Sequence, residues 1–221
     1  MLTSQSIELH SKPKKLVFLL HGYGDNGDNF LSIASYLHEF TSDTNYFSLN
    51  APNKIPGNDS GREWFTLYPN GVYFIDSGEK EKKIIEKDCL KSVNLIKKYI
   101  NNLCSKFELK YSDCFVLGFS QGGILAFEFG KYLSEKLAGC IILSGRILSK
   151  DKMYNNKFLK TPVLVIHGDQ DQVIGPENFQ ATCLYLGKQG FSFTKNLIKD
   201  EGHSISPKIL NLIIDFIKKN V

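Results

Sequence analysis

Arginine is almost absent from this 221-residue chain: of 27 basic residues, only Arg62 and Arg146 are arginine. Reading phosphates or base edges relies on the planar guanidinium fork, so no nucleic-acid partner is expected. Charge of one sign is scarce too. The 27 basic residues face 23 acidic ones, a formal +4 dispersed along the chain. The densest run, Glu79-Lys80-Glu81-Lys82-Lys83, mixes signs as a solvated helix start does. No apolar run approaches the ~18 residues of a membrane span. The stretch from Met1 to Lys15 is polar and lacks an apolar signal-type core. Integral membrane association is therefore not expected. Cysteines are few, and Cys89, Cys104, Cys114, Cys140 and Cys183 form no C-x-x-C pair, which argues against a zinc or dithiol site. Their odd number and wide spacing suit free thiols in a reducing, cytoplasmic compartment. Internal repeats and low-complexity linkers are missing, and the length suits one domain over residues 1–221.

What the chain does have is alternation. Short apolar runs predict strands at Leu16 to Leu20, Tyr46 to Leu49, Cys114 to Leu117, Cys140 to Leu143, Val163 to Ile166 and Phe191 to Leu197. Helical spacing lies between them. It predicts helices over Asn29 to Phe40, Lys83 to Phe107, Gln121 to Leu137 and Pro176 to Gln189, and a last one from Ser206 and Pro207 onward. Continuous apolar strands separated by helices imply a mostly parallel sheet covered on both faces, an α/β class. The one long irregular segment, Asn50 to Gly78, is rich in Pro and Gly yet holds Trp64, Phe65, Tyr68, Tyr73 and Phe74. Its aromatics argue against disorder.

The chemical signal is Gly118-Phe119-Ser120-Gln121-Gly122, placed directly after an apolar strand and opening an apolar helix. A sharp strand-turn-helix with small flanking residues lifts a serine hydroxyl above the sheet as a nucleophile. Such a serine needs a base, and the base needs an orienting acid. After Ser120 only His167 and His203 remain. His203, in the loop before the last helix, suits the base; His167 reads as a strand-end turn residue. Asp169 and Asp171 both follow the strand Val163 to Ile166. Composition does not choose between them, although Asp171 lies further into the loop and Asp169 suits an Asx turn. Two backbone N–H donors would hold an oxyanion: that of Gln121, at a helix N-terminus, and one from His21-Gly22-Tyr23-Gly24, where the glycines free the Tyr23 amide to turn.

Five segments in order, Leu20 to Asn26 (LHGYGDN), Gly61 to Phe65 (GREWF), Gly118 to Gly123 (GFSQGG), His167 to Ile174 (HGDQDQVI) and Glu201 to His203 (EGH), make the sequence resemble the phospholipase/carboxylesterase family of α/β-hydrolases, which includes the acyl-protein thioesterases. The resemblance implies the α/β-hydrolase fold and hydrolysis of carboxylic esters or thioesters. It implies Ser120 as nucleophile, Asp171 as acid, His203 as base, oxyanion donors at Tyr23 and Gln121, and an acyl site at Trp64 and Phe65. No metal or other cofactor is implied. The substrate would be a small-molecule or lipid ester, or an acylated protein, and a homodimer is left open. One departure is Gly175, where the family often has proline. The interval from Ser144 to Thr161 is too short for a helical cap, so no lid domain is expected. Outside this reading stand a non-catalytic binding protein of the same fold, a serine peptidase, and a metal-dependent hydrolase using His21, His167, Asp169 and His203.

Overall fold

The computed structural model describes residues 2–148 and 155–220. Seven strands form one sheet: β1 (Ser4–Ile7), β2 (Lys15–Leu20), β3 (Thr44–Leu49), β6 (Cys114–Phe119), β7 (Gly139–Leu143), β8 (Val163–Gly168) and β9 (Phe193–Ile198). Their order is β1-β3-β2-β6-β7-β8-β9, with β1 antiparallel to β3 and every other pair parallel. A separate antiparallel hairpin joins β4 (Asn53–Ile55) to β5 (Asn58–Glu63). The helices are α1 (Gly27–Leu37), α2 (Glu79–Phe107), α3 (Gln121–Gly130), α4 (Glu177–Gln189) and α5 (Pro207–Lys219).

The apolar runs are continuous because both sheet faces are covered. Alternate residues point to opposite sides. Leu16, Phe18, Leu20, Val116 and Val165 join one core with α2, α3 and α4. Val17, Leu19, Leu117, Leu164 and Ile166 join the other with α1 and α5. Helix α2 faces its core through Ile85, Cys89, Val93, Ile96 and Ile100. It stops where Glu108 turns left-handed, at φ 57°. Helix α3 is buried on every side, as its sequence implies.

Two expectations need correction, and one strand was not anticipated. The helix from Gln121 ends at Gly130 rather than Leu137. Tight bonds from Tyr132 N to Phe129 O and from Leu133 N to Gly130 O unwind it into turns. Leu133 and Leu137 stay buried in those turns, which is why the apolar spacing ran on. The segment from Asn50 to Gly78 is ordered around the hairpin and two 3₁₀ turns, Pro69–Gly71 and Phe74–Asp76. Strand β1 went unforeseen because Ser4-Gln5-Ser6 is polar and lies at the sheet edge. Within the interval from Ser144 to Thr161, residues 149–154 lie outside the described ones; a 3₁₀ turn at Phe158–Lys160 ends it.

The core arrangement sets a measurable contrast on α2. Ile96→Ala should lower unfolding free energy by about 2–4 kcal/mol, since Ile96 is fully buried. Lys87→Ala, on the exposed face, should change it by less than about 0.5 kcal/mol. Denaturant titration of the two variants checks this.

Candidate active site

The loops at the C-terminal ends of β2, β6, β8 and β9 bring the candidate residues together, where parallel α/β sheets generally carry their sites. Ser120 joins β6 to α3 with φ 54° and ψ −118°. For a residue bearing a Cβ this backbone is strained, and it persists only where the surroundings impose it. The surroundings are two glycines. A Cβ on Gly118 would lie 2.0 Å from Gly122 O, and one on Gly122 would lie 2.0 Å from Leu20 O. Only bare backbone lets α3 sit this close to β2 and β6. Ser120 N donates to Leu143 O at 2.9 Å and Ser120 O accepts from Ile124 N at 3.0 Å, so both flanking peptides are pinned.

His203 and Ser120 line one cavity of about 340 Å³. No hydrogen bond joins the two side chains among the described residues; such a contact commonly tightens only around bound substrate. The His203 ring lies over Phe119, centroids 4.8 Å apart. Its Nδ1 is 2.7 Å from Asp171 Oδ2, so Nε2 is left for the cavity side. Asp171 Oδ1 accepts from the amides of Val173 and Ile174, each at 2.9 Å. Burial alone would raise the Asp171 carboxyl, but the bonds from His203, Ile174 and Val173 and the attraction of His203 together hold it below its ordinary value. The choice between the two aspartates is therefore geometric. Asp169 makes no contact with His203: its amide donates to Ile198 O at 2.9 Å, and its Oδ1 is buried without a partner among the described residues.

The donors expected for an oxyanion sit beside the serine. Gly22 is near enough that a Cβ there would meet Ser120 Cβ at 3.4 Å. Gln121 opens α3, where the first amides have no intrahelical acceptor. The Tyr23 amide has no acceptor among the described residues, while its neighbours do: Gly24 N donates to Arg62 O at 3.0 Å and Asp25 N to Gly22 O at 3.3 Å. The same peptide unit is gripped at its other end, because His21 Nδ1 lies 2.7 Å from Gly22 O. His21 Nε2 accepts from Ala51 N at 3.1 Å, so Nδ1 carries the proton and donates. Burial lowers the His21 pKa and keeps the ring in that neutral form. This spends His21 on loop architecture and removes it from any metal-ligand set with His167, Asp169 and His203.

Trp64 and Phe65 require a correction. They were expected to line an acyl slot, yet both are fully buried and neither borders the cavity. Trp64 Nε1 donates to His21 O at 2.9 Å. Gln121 Oε1 accepts from Trp64 N at 2.8 Å, and Gln121 Nε2 donates to Phe65 O at 2.7 Å. Ser92 Oγ on α2 donates to Trp64 O. The segment from Gly61 to Phe65 thus clamps the loop after β2, helix α3 and helix α2 together. The apolar wall comes instead from Leu67, Tyr73, Phe74, Ile124, Val173 and Ile174. Tyr68, Tyr73 and Phe74 of the same aromatic stretch line the cavity; burial of individual rings was not readable from the sequence.

Residues 3–221 match a family model described as phospholipase/carboxylesterase. The chain is 29% identical to acyl-protein thioesterase 1 of Candida albicans, covering 96% of this chain and 94% of that protein. It is 28% identical to acyl-protein thioesterase 1 homolog 1 of Dictyostelium discoideum, over 93% and 90%. Among solved structures, the esterase PE8 superposes with a TM-score of 0.85 at 26% identity, covering 100% of this chain and 99% of that one. The fold is that of the α/β-hydrolases.

The close approach at the elbow predicts a contrast between glycines. Gly122→Ala should cost more than about 2 kcal/mol, because backbone rather than a movable side chain blocks the new methyl. In α4, Gly187 has nothing within 4 Å of the same position, so Gly187→Ala should stabilise by up to about 1 kcal/mol. Thermal melts of both variants decide it.

Proposed function

The chain belongs to the phospholipase/carboxylesterase family of ester-hydrolysing enzymes, and from that premise we propose that it cleaves carboxylic esters or thioesters through an acyl-enzyme on Ser120. The observation that carries this reading is the 2.7 Å bond between His203 and buried Asp171, made at the edge of the cavity that Ser120 also lines. Ser120 Oγ attacks the acyl carbonyl while His203 Nε2 takes the hydroxyl proton. Asp171 holds the ring in the tautomer that presents Nε2 and stabilises the imidazolium formed. Negative charge on the carbonyl oxygen rests on the amides of Tyr23 and Gln121, aided by the α3 dipole. The leaving alcohol or thiol takes the proton from His203. Water, deprotonated by the same ring, then releases the acid and restores Ser120.

The acyl chain occupies the apolar wall of Leu67, Phe74 and Ile124. The substrate class is a small-molecule or lipid ester, or an S-acylated protein. One domain of 1–221 is supported by a single sheet that serves both cores. A cytoplasmic site is supported by five buried cysteines that form no disulfide. Among the described residues, no helix is long and apolar enough to cross a membrane.

Ser120→Ala should lower kcat by roughly 10⁴- to 10⁶-fold without lowering the melting temperature, and a serine-directed phosphonate should no longer label the protein. Asp171→Asn should cost on the order of 10³- to 10⁴-fold, and Asp169→Asn far less. Steady-state assays with p-nitrophenyl esters test both rankings; retained labelling of the Ser120 variant would sink the nucleophile assignment.

Chain-length selectivity separates the wall from the clamp. Phe74→Ala should penalise octanoyl over acetyl esters by about 1–2 kcal/mol in kcat/KM. Trp64→Phe removes the bond to His21 O and should lower both substrates equally, with a lower melting temperature. A selective loss in Trp64→Phe would return that residue to the acyl site.

A further inference from the structure

Asp171 is served by a second histidine. Its carboxylate is almost completely buried, and an ionised carboxylate there needs its lone pairs filled. Two amides fill Oδ1. Oδ2 accepts from His203 Nδ1 at 2.7 Å. His167 is itself fully buried at the end of β8, four residues before the aspartate. Its Nε2 comes within 3.3 Å of Oδ2 without a hydrogen bond to it and lies 2.7 Å from Ile174 O. A carbonyl oxygen only accepts, so Nε2 carries the proton and donates to Ile174 O. Nδ1 has no partner among the described residues; the ring's whole hydrogen-bonding contribution goes through Nε2 to that carbonyl.

We infer that His167 is a positioning residue for the reaction: its Nε2–H, donated to Ile174 O, fixes the turn whose amides hold the carboxylate that orients His203. The inference rests on the triad reading above. Ile174 uses its carbonyl to hold His167 and its amide to hold Asp171 Oδ1, so the ring restrains the carboxylate through one residue of the turn. Without the ring, Asp171 keeps its chemistry but the turn that aims it loses that restraint. The cost then falls on general-base alignment rather than on substrate binding. Alignment errors of this kind reduce kcat and leave KM nearly unchanged.

The test uses p-nitrophenyl butyrate with His167→Leu, His167→Asn, His167→Gln, Asp171→Asn and the double variant His167→Leu/Asp171→Asn. Glutamine places an amide N–H near the position of Nε2; asparagine has the same chemistry without the reach. Leucine and asparagine should each lower kcat by about 3- to 10-fold, the range for a hydrogen bond between neutral groups, with KM changing little. Glutamine should recover to within about 1.5-fold of wild type. In the Asp171→Asn background, His167→Leu should cost less than about 1.5-fold more, because residues acting as one unit are not additive. Where leucine does not fold, the asparagine–glutamine pair carries the test. Equal losses in both backgrounds, or glutamine as impaired as asparagine, would make His167 a packing residue and overturn the inference. Near-normal activity of Asp171→Asn would instead overturn the triad reading itself.

Discussion

The first turn of α3 is pressed directly onto the ends of β2 and β6, and the arrangement of the site follows from that contact. It is a contact of backbone with backbone. Gly122 abuts Leu20 O and Gly118 abuts Gly122 O so closely that no side chain fits at either position. Once α3 lies there, Ser120 has little choice of conformation: the chain must reverse within one residue, and φ becomes positive. The strained residue is the proposed nucleophile. The same approach brings Ser120 against Gly22, so the proposed nucleophile and oxyanion donors share one origin. Strain of this kind costs about 1–3 kcal/mol and needs an offset elsewhere; the fully buried α3 is the natural source.

A second clamp is made by side chains. Gln121 uses its amide side chain to hold Trp64 and Phe65 and leaves its backbone N–H for the site. Trp64 in turn holds His21, and His21 holds the carbonyl of the peptide whose N–H belongs to Tyr23. The two proposed oxyanion donors, 98 residues apart by their numbering, are thereby linked through Trp64 and His21 rather than by one element. This gives the Gly61 to Phe65 segment a role that needs no contact with substrate. It also assigns a cause to the burial of the one tryptophan in the chain.

The parts legible in the sequence were those with a local signature. Continuous apolar runs marked six of the strands because both faces of the sheet are covered. The sharp turn at Ser120 was legible because glycine is forced on both sides of it. Chain order pointed to His203, which lines the same cavity as Ser120. The parts that escaped depend on contacts distant in sequence. Strand β1 is polar at an open edge and has no periodicity to read. Trp64 looked like an acyl-site residue because an aromatic in a loop can face either a cavity or the interior, and only tertiary packing decides. His21 and His167 read as loop and strand-end residues for the same reason. Their importance lies in carbonyls and amides, Gly22 O, Ala51 N and Ile174 O, which carry no sequence identity.

This division has a physical basis. A reacting group must be accessible, so it sits at a turn next to small residues, and turns leave marks in sequence. The groups that hold it must be inaccessible, because a hydrogen bond restrains best where water does not compete. His21, Gln121, His167 and Asp171 are accordingly all buried, although polar residues rarely are. Burying each costs solvation, and each recovers it through backbone partners in the loops beside the sheet: Gly22 O and Ala51 N for His21, Trp64 N and Phe65 O for Gln121, Ile174 O for His167, and the amides of Val173 and Ile174 for Asp171. The proposed site's precision therefore comes at one remove: loop carbonyls and amides fix buried polar side chains, and those fix the serine, imidazole and amides proposed to meet the substrate. A substitution in the middle layer should accordingly be felt in alignment before it is felt in binding.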